Sequence, residues 1–249
     1  VSKPVSFSSS GDHVAGGSSW DGNVYNNIVE IDDSTIETDI YGGYIDRKGS
    51  AKNNTVILHG GTNAEKANLY GSNQPDFQGS GNNLILDAWS GSVNSVNYFD
   101  QITLDGVVWK NGGTIVQVLN EGNKQMPLDG TDIHIRMANG SVIRPNDRMT
   151  LFEVQTPQAE SPNFNVNREF TAGVATVGTG YIEVSDADTQ KNVDYVVQSV
   201  SANPQVQLLA DNRAVSAAFV NQGDDLISDG LDSLSHQDGY GFKTFAAMH

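Results

Sequence analysis

Polar and aliphatic positions alternate with period two in three short stretches that share one plan: Asn27-Ile28-Val29-Glu30-Ile31, Asn54-Thr55-Val56-Ile57-Leu58 and Asn82-Asn83-Leu84-Ile85-Leu86. Alternation sends Val29/Ile31, Val56/Leu58 and Leu84/Leu86 to one side, as a half-buried strand requires. The asparagines that open these stretches lie 27 and 28 residues apart. A second marker, Val14-Ala15-Gly16-Gly17, Ile40-Tyr41-Gly42-Gly43 and Leu69-Tyr70-Gly71, runs in step at spacings of 26 and 29 and supplies another strand per repeat. Self-similarity at a period of 20 to 50 residues marks stacked units, none of which can bury its apolar face alone.

Between the markers lie stretches such as Asp46-Arg47-Lys48-Gly49-Ser50 and Gln78-Gly79-Ser80-Gly81, which read as turns and offer no crossover helix. Parallel strands without crossover helices stack when the chain coils, each ~27-residue repeat forming one rung about 4.8 Å from the next. The predicted fold is therefore all-β, a right-handed parallel β-helix. An Asn at the same place on successive rungs tolerates a left-handed corner and can bond to the amides above and below, so Asn27, Asn54 and Asn82 are expected to form a column. Ile57 and Ile85 fall at outward positions where their counterpart is Glu30, and are expected to pack under loops. A leucine-rich repeat would need denser leucines at a shorter period, and calcium-binding nonapeptides would need Gly-Gly-x-Gly-x-Asp, which does not occur.

After about residue 95 the repeat dissolves while strand character continues through Ile102-Thr103-Leu104, Thr114 to Val118, Asp132 to Met137 and Met149 to Val154. Asp129-Gly130, Asn139-Gly140 and Pro145-Asn146-Asp147 read as turns joining antiparallel strands. A solenoid end exposes strand edges, so a differently built terminal unit is expected. The segment 1–95 is assigned to β-helix rungs, 96–200 to a β-rich C-terminal cap, and 201–249 to a C-terminal linker helix. In that helix Asn203 is the N-cap, Pro204 takes the first helical position, and Leu208, Leu209, Val215, Ala218, Phe219, Leu226 and Ile227 recur at mostly helical spacing. The tail from Asp238 to His249 has the pattern of an opening strand.

Composition narrows the partners. With 14 Lys+Arg against 30 Asp+Glu the net charge is -16, which repels phosphate backbones, so no nucleic acid partner is expected. The sequence shows neither a basic segment leading into an apolar one at its start nor a run of 18 apolar residues, so a signal peptide and a spanning helix are not expected. Its lack of Cys removes disulfides and thiolate metal sites.

Asp32, His59 and Asp87 each follow a repeat asparagine by five residues, which in a regular coil aligns two carboxylates and an imidazole in one column. Such a group could bind a divalent ion or do acid/base chemistry; the bland alternative, solvated polar residues at a corner, is preferred. His134 sits in an alternating strand between Ile133 and Ile135, and His13, His236 and His249 have no spaced partners. Gly-x-Ser-x-Gly does not occur. Tyr41, Tyr44 and Tyr70 form either an exposed aromatic stripe for sugar or receptor binding or a packed stack, and packing is preferred. Trp20, Trp89 and Trp109 share no register and are expected in the core. No residue is assigned a catalytic, cofactor-binding or metal-binding role.

The order of these segments resembles the autotransporters of Gram-negative bacteria, type V secretion proteins whose β-helical passenger is exported through their own C-terminal barrel. The repeats with Tyr41-Gly42-Gly43 and Asn54-Thr55-Val56-Ile57-Leu58 look like adhesin-type passenger repeats. Phe99-Asp100-Gln101-Ile102-Thr103-Leu104 with Trp109-Lys110-Asn111-Gly112-Gly113-Thr114 is similar to the start of the autochaperone region shared by pertactin-like members. Ala217-Ala218-Phe219-Val220-Asn221 with Asp224-Asp225-Leu226 resembles the linker helix, and Gly241 to Met248 the stretch entering the first barrel strand. The resemblance implies a non-enzymatic stalk and folding cap of a surface-displayed or secreted adhesin. It also implies export through the periplasm, which suits a chain without cysteine, and a monomer whose partner is the outer-membrane barrel of the same polypeptide. Host surfaces, glycans or like molecules on other cells are the open receptor classes. The rivals are a β-helical carbohydrate-active enzyme, lyase or glycosidase, which would need acidic residues grouped across rungs, and a self-association module.

Overall fold

The computed structural model describes residues 6–7, 13–74, 80–121, 130–155, 165–187 and 190–235. Two compact units divide the chain, Val1–Ser201 and Ala202–His249. The first is a β-solenoid of about four turns. Its strands begin with β1 (Ser6–Phe7), β2 (His13–Ala15), β3 (Ser18–Asp21), β4 (Val24–Tyr25), β5 (Ile28–Ile31) and β6 (Thr35–Ile36). There follow β7 (Asp39–Lys48), β8 (Ala51–Lys52), β9 (Thr55–His59), β10 (Ala64–Ser72), β11 (Asn83–Asp87), β12 (Gly91–Asn97) and β13 (Gln101–Val107). The unit closes with β14 (Thr114–Val118), β15 (Asp132–Met137), β16 (Arg148–Val154), β17 (Asn165–Ala172), β18 (Thr176–Ala187) and β19 (Gln190–Ala202). The parallel β-helix read from the repeat is the fold observed.

Two parallel ladders face each other across the core, β2-β7-β10-β12-β14-β16 and β5-β9-β11-β13-β15-β17. In the second ladder the register keeps like residues aligned: Val29, Val56, Leu84, Ile102 and Ile133 form one column, and Ile31, Leu58, Leu86, Leu104 and Ile135 the next. All ten are buried, and at about 1.5–3 kcal/mol per large aliphatic side chain these two columns contribute substantially to stability. The opposite ladder contributes Ile40, Leu69 and Val96. Ile57 and Ile85 stack on each other beside Glu30 on the outer surface, half-buried. At one corner β3 pairs with β7 and β4 with β8, around a separate small core of Val24, Ile45 and Ala51.

Parallel pairing does not stop at residue 95. The strands β13, β15 and β17 extend one ladder and β14 and β16 the other, and only β18 and β19 turn back, antiparallel to β17 and β16. The antiparallel hairpins expected from Asn139-Gly140 and Pro145-Asn146-Asp147 are thus not formed. Those turns carry the chain from β15 in one ladder to β16 in the other. Gly140 and Asn146 have positive φ, so their turn chemistry was real, but a tight turn fixes a change of direction and not the partner of the strand that follows.

The described part of the second unit is one helix, α1 (Pro204–Ser235). Asn203 caps it as expected, its Oδ1 accepting from the Gln205 N–H at 3.0 Å. Helical geometry gathers Leu208, Val215, Phe219 and Leu226 into one row and Leu209, Val220, Ile227 and Leu231 into another about 100° away. Asp211, Asp225, Asp229 and Asp232 fall on the opposite side. The apolar rows are exposed, Phe219 at 77%. No helix among the described residues is long and apolar enough to cross a membrane. The strand pattern read from Asp238 to His249, together with His236, His249 and Asp129, lies outside the described residues.

Candidate functional site

The most ordered polar feature is the asparagine column. Asn54 Oδ1 accepts from both the backbone N–H and the Nδ2 of Asn27, at 3.0 and 2.9 Å, and Asn82 Oδ1 accepts from the same two groups of Asn54, at 2.9 and 3.2 Å. Spare amide hydrogens of Asn54 and Asn82 reach the carbonyls of Val24 and Ala51. Both side chains are fully buried, so each satisfied amide avoids a desolvation cost of about 1–3 kcal/mol per group. The next two turns place Asp100 and Thr131 at the same register position. The Asp100 carboxylate accepts from Gly81 N–H and, at 2.9 Å, from Ser80 Oγ, and Thr131 Oγ1 donates to the Phe99 carbonyl at 2.8 Å.

The two sequence markers are in contact. A methyl group on Gly42 would lie 2.9 Å from the Gly71 carbonyl oxygen and 3.0 Å from Asn54 Cβ, and one on Gly43 would lie 2.7 Å from Asn54 Nδ2. Gly16 and Gly17 meet Asn27 in the same way. Glycine is needed there for close approach of backbone to amide. Left-handed backbone at the corner falls one residue before the column, at Asn26, Asn53 and Gly81 with φ of 58°, 54° and 71°, and not on the column residues as expected. The asparagines of the column bridge turns, and their neighbours bend the chain.

His59 bridges three turns. Its Nε2 lies 2.7 Å from Glu30 Oε1 and its Nδ1 2.9 Å from Asp87 Oδ2. Only the imidazolium can donate at both nitrogens. Partial burial of the ring lowers its pKa, but the hydrogen bonds to Glu30 and Asp87 and their charges outweigh this and hold it above the ordinary histidine value. Asp87 aligns with His59 as read from the spacing. Asp32 does not join them: β5 ends at Ile31, the chain turns through Asp33 with φ 43°, and Glu30 reaches along the surface to take the place expected of Asp32. One turn further, Asp105 continues the column and pairs with Arg136 at 2.7 Å. Among the described residues no group of three or more such side chains is arranged to hold a metal ion.

The tyrosines form a stack. Tyr41 and Tyr70 lie face to face at 4.6 Å and 10°, Tyr98 extends the stack at 6.2 Å, and Tyr44 packs edge-on against Tyr41. His13, without a partner in the sequence reading, stacks on Tyr44 at 4.3 Å. Tyr41 donates to Asp39 at 3.1 Å, and burial together with the Asp39 charge pushes its hydroxyl pKa up. Ring faces that a sugar would need are spent on one another, so packing is the role this geometry supports. His134 stands half-buried beside Thr103 in the ladder.

Of the tryptophans, Trp89 is buried with Nε1 donating to the Thr62 carbonyl at 2.8 Å, and Trp109 is buried against Phe170. Trp20 is not in the core. It stands 64% exposed on β3, with the Arg47 guanidinium 5.8 Å from the ring centroid. Nothing in the local sequence marked it, because Ser18-Ser19-Trp20-Asp21 has no alternation from which to read a face.

No protein-family model, curated protein or solved structure matches the chain.

Proposed function

We propose that this chain is the C-terminal stalk and folding cap of a surface-displayed or secreted autotransporter adhesin, without catalytic work of its own. The observation that carries the reading is the succession of architectures: parallel turns in strict register, closure by the antiparallel strands β18 and β19, then a 32-residue helix with exposed apolar rows. Such a coil can grow one turn at a time from its closed end. Each added turn buries apolar surface at roughly 25 cal/mol per Å2, so turns forming outside the cell oppose return through a pore. The helix, at about 1.5 Å per residue, is about 48 Å long, comparable to a bilayer of about 40–45 Å with its headgroups. Its exposed rows suit enclosure by an outer-membrane barrel of the same polypeptide. The non-catalytic part of the reading is supported at His59, where both ring nitrogens are already bonded to carboxylates and neither is left to serve as a base.

The test is to delete the closing strands β18 and β19, residues 176–202, and compare refolding and protease resistance of the remaining turns with those of the whole chain. Slow or aggregation-prone refolding of the truncated chain agrees with a folding cap. Equally ready refolding contradicts it.

A further inference from the structure

The corner built by β3, β4, β7 and β8 differs from the rest of the molecule in charge and in what it exposes. Across residues 18–26 and 44–53 it carries Arg47, Lys48 and Lys52 against Asp21 and Asp46, in a chain with 14 basic and 30 acidic residues. All five charged residues are exposed. Arg47 is only loosely tied to Asp21, at 3.7 Å, and among the described residues neither Lys48 nor Lys52 is in an ion pair. On the same corner stand two exposed aromatics, Trp20 at 64% and Tyr25 at 44%, held in place by backbone pairing around the small core of Val24, Ile45 and Ala51. Arg47 lies over the Trp20 ring, and the Tyr25 hydroxyl is 2.7 Å from Ser50 Oγ, which is itself 3.3 Å from Asn23 Oδ1.

We infer that this corner binds an acidic saccharide. The exposed Trp20 ring takes the C–H face of a pyranose, and Arg47, Lys48 and Lys52 take the carboxylates of that sugar or of its neighbours along the chain. Two features favour a glycan over a protein partner. The apolar area is small, and amide, hydroxyl and charged groups lie close beside it, whereas a stable protein interface needs about 1,000 Å2 or more with an apolar centre. The contrast with the tyrosine stack is direct: there the rings cover one another, while here no aromatic among the described residues covers the ring and the Arg47 guanidinium stands 5.8 Å from its centroid. Guanidinium forks and ammonium groups complement carboxylates, and in a chain of net charge -16 a corner with three basic residues against two acidic ones is a favourable place for an acidic ligand. The inference deepens the adhesin reading by naming a ligand class and rests on it only for the biological setting.

The test uses the purified full chain with a galacturonate tetrasaccharide, sialyllactose and neutral maltotetraose, read by calorimetry and by tryptophan emission, to which the exposed Trp20 responds. At least one acidic sugar binds, maltotetraose binds far more weakly, and raising salt weakens the acidic sugar. Trp20→Ala loses at least about tenfold in affinity, the scale of a central aromatic anchor, with an unchanged circular dichroism spectrum. Arg47→Gln with Lys48→Gln loses affinity and flattens the salt dependence while keeping the ring in place. Failure of both acidic sugars to bind, equal binding of maltotetraose, or binding indifferent to Trp20→Ala overturns the inference. So does Trp20-dependent self-association in sedimentation without sugar binding, which makes the corner a protein contact. None of these readouts depends on export, so the stalk reading and the sugar site can fail separately.

Discussion

At the residue scale, buried amides and glycines lock the turns together. Asn54 is the middle of the column and bonds both upward and downward, so Asn54→Ala strands the Asn27 amide donors and the Val24 carbonyl. A loss of at least about 2 kcal/mol is expected in urea unfolding, since each orphaned buried group costs about 1–3 kcal/mol. The preceding residue behaves differently. Asn53→Gly should be close to neutral because φ is 54°, whereas Asn53→Val should cost about 1–2 kcal/mol for a β-branched residue in left-handed backbone. Equal costs at Asn53 for Gly and Val contradict the assignment of the bend to that residue.

His59 makes the stalk sensitive to pH in a defined direction. Its pKa is raised in the folded state by Glu30 and Asp87, against the effect of burial. Its contribution to stability is therefore complete below the unfolded histidine value, near 6.5, and is lost as pH rises through the higher folded value. The urea midpoint of the wild type should fall between pH 6 and pH 8.5 by more than that of His59→Gln. A parallel fall in the two proteins contradicts the clasp.

At the element scale, the closed end is held by charge as well as by pairing. Asp194 on β19 is buried and receives Arg148 Nη1 at 2.9 Å and Thr150 Oγ1 at 2.7 Å, while Arg148 also meets Glu183 on β18. Removing the arginine leaves a buried carboxylate with only its Thr150 hydrogen bond, and because the Arg148 side chain is itself partly exposed, Arg148→Ala should destabilise by about 1–3 kcal/mol. Glu183→Gln, at an exposed pair, should cost less than about 1 kcal/mol. Hydrogen exchange in β18 and β19 should accelerate in Arg148→Ala first. Unchanged exchange there tells against the clamp.

The elements also show what the sequence could and could not convey. Turns rich in aliphatic alternation were readable, because Val56/Leu58 and Leu84/Leu86 repeat in type as well as in position. Beyond residue 95 the column position passes from Asn to Asp100 and Thr131, which still bond back to the preceding turn but through different atoms and partners, so the periodicity vanishes from the letters while the coil continues. Parallel pairing in that region was hidden behind turn residues that fit either topology. The candidate site was partly legible: equal offsets aligned His59 with Asp87, but the chain's turn at Asp33 and the reach of Glu30 along the surface depend on local backbone that spacing does not encode. Exposure of Trp20 followed from the corner strands β3 and β4, which are too short to leave a pattern.

At the scale of the whole molecule, the first unit coils so that residues some 27 apart become neighbours. The chain has no cysteine, so two can be introduced cleanly for spin labels. Ile28 and Asp132, 104 residues apart in sequence, both exposed, share one column through Thr55, Asn83 and Gln101. Four strand spacings of about 4.8 Å place their backbones about 19 Å apart. Pulsed electron paramagnetic resonance on Ile28→Cys/Asp132→Cys should give one narrow distribution near that distance, lengthened only by the label arms. A broad distribution, or one centred at about twice that separation, contradicts the stacked coil and everything built on it.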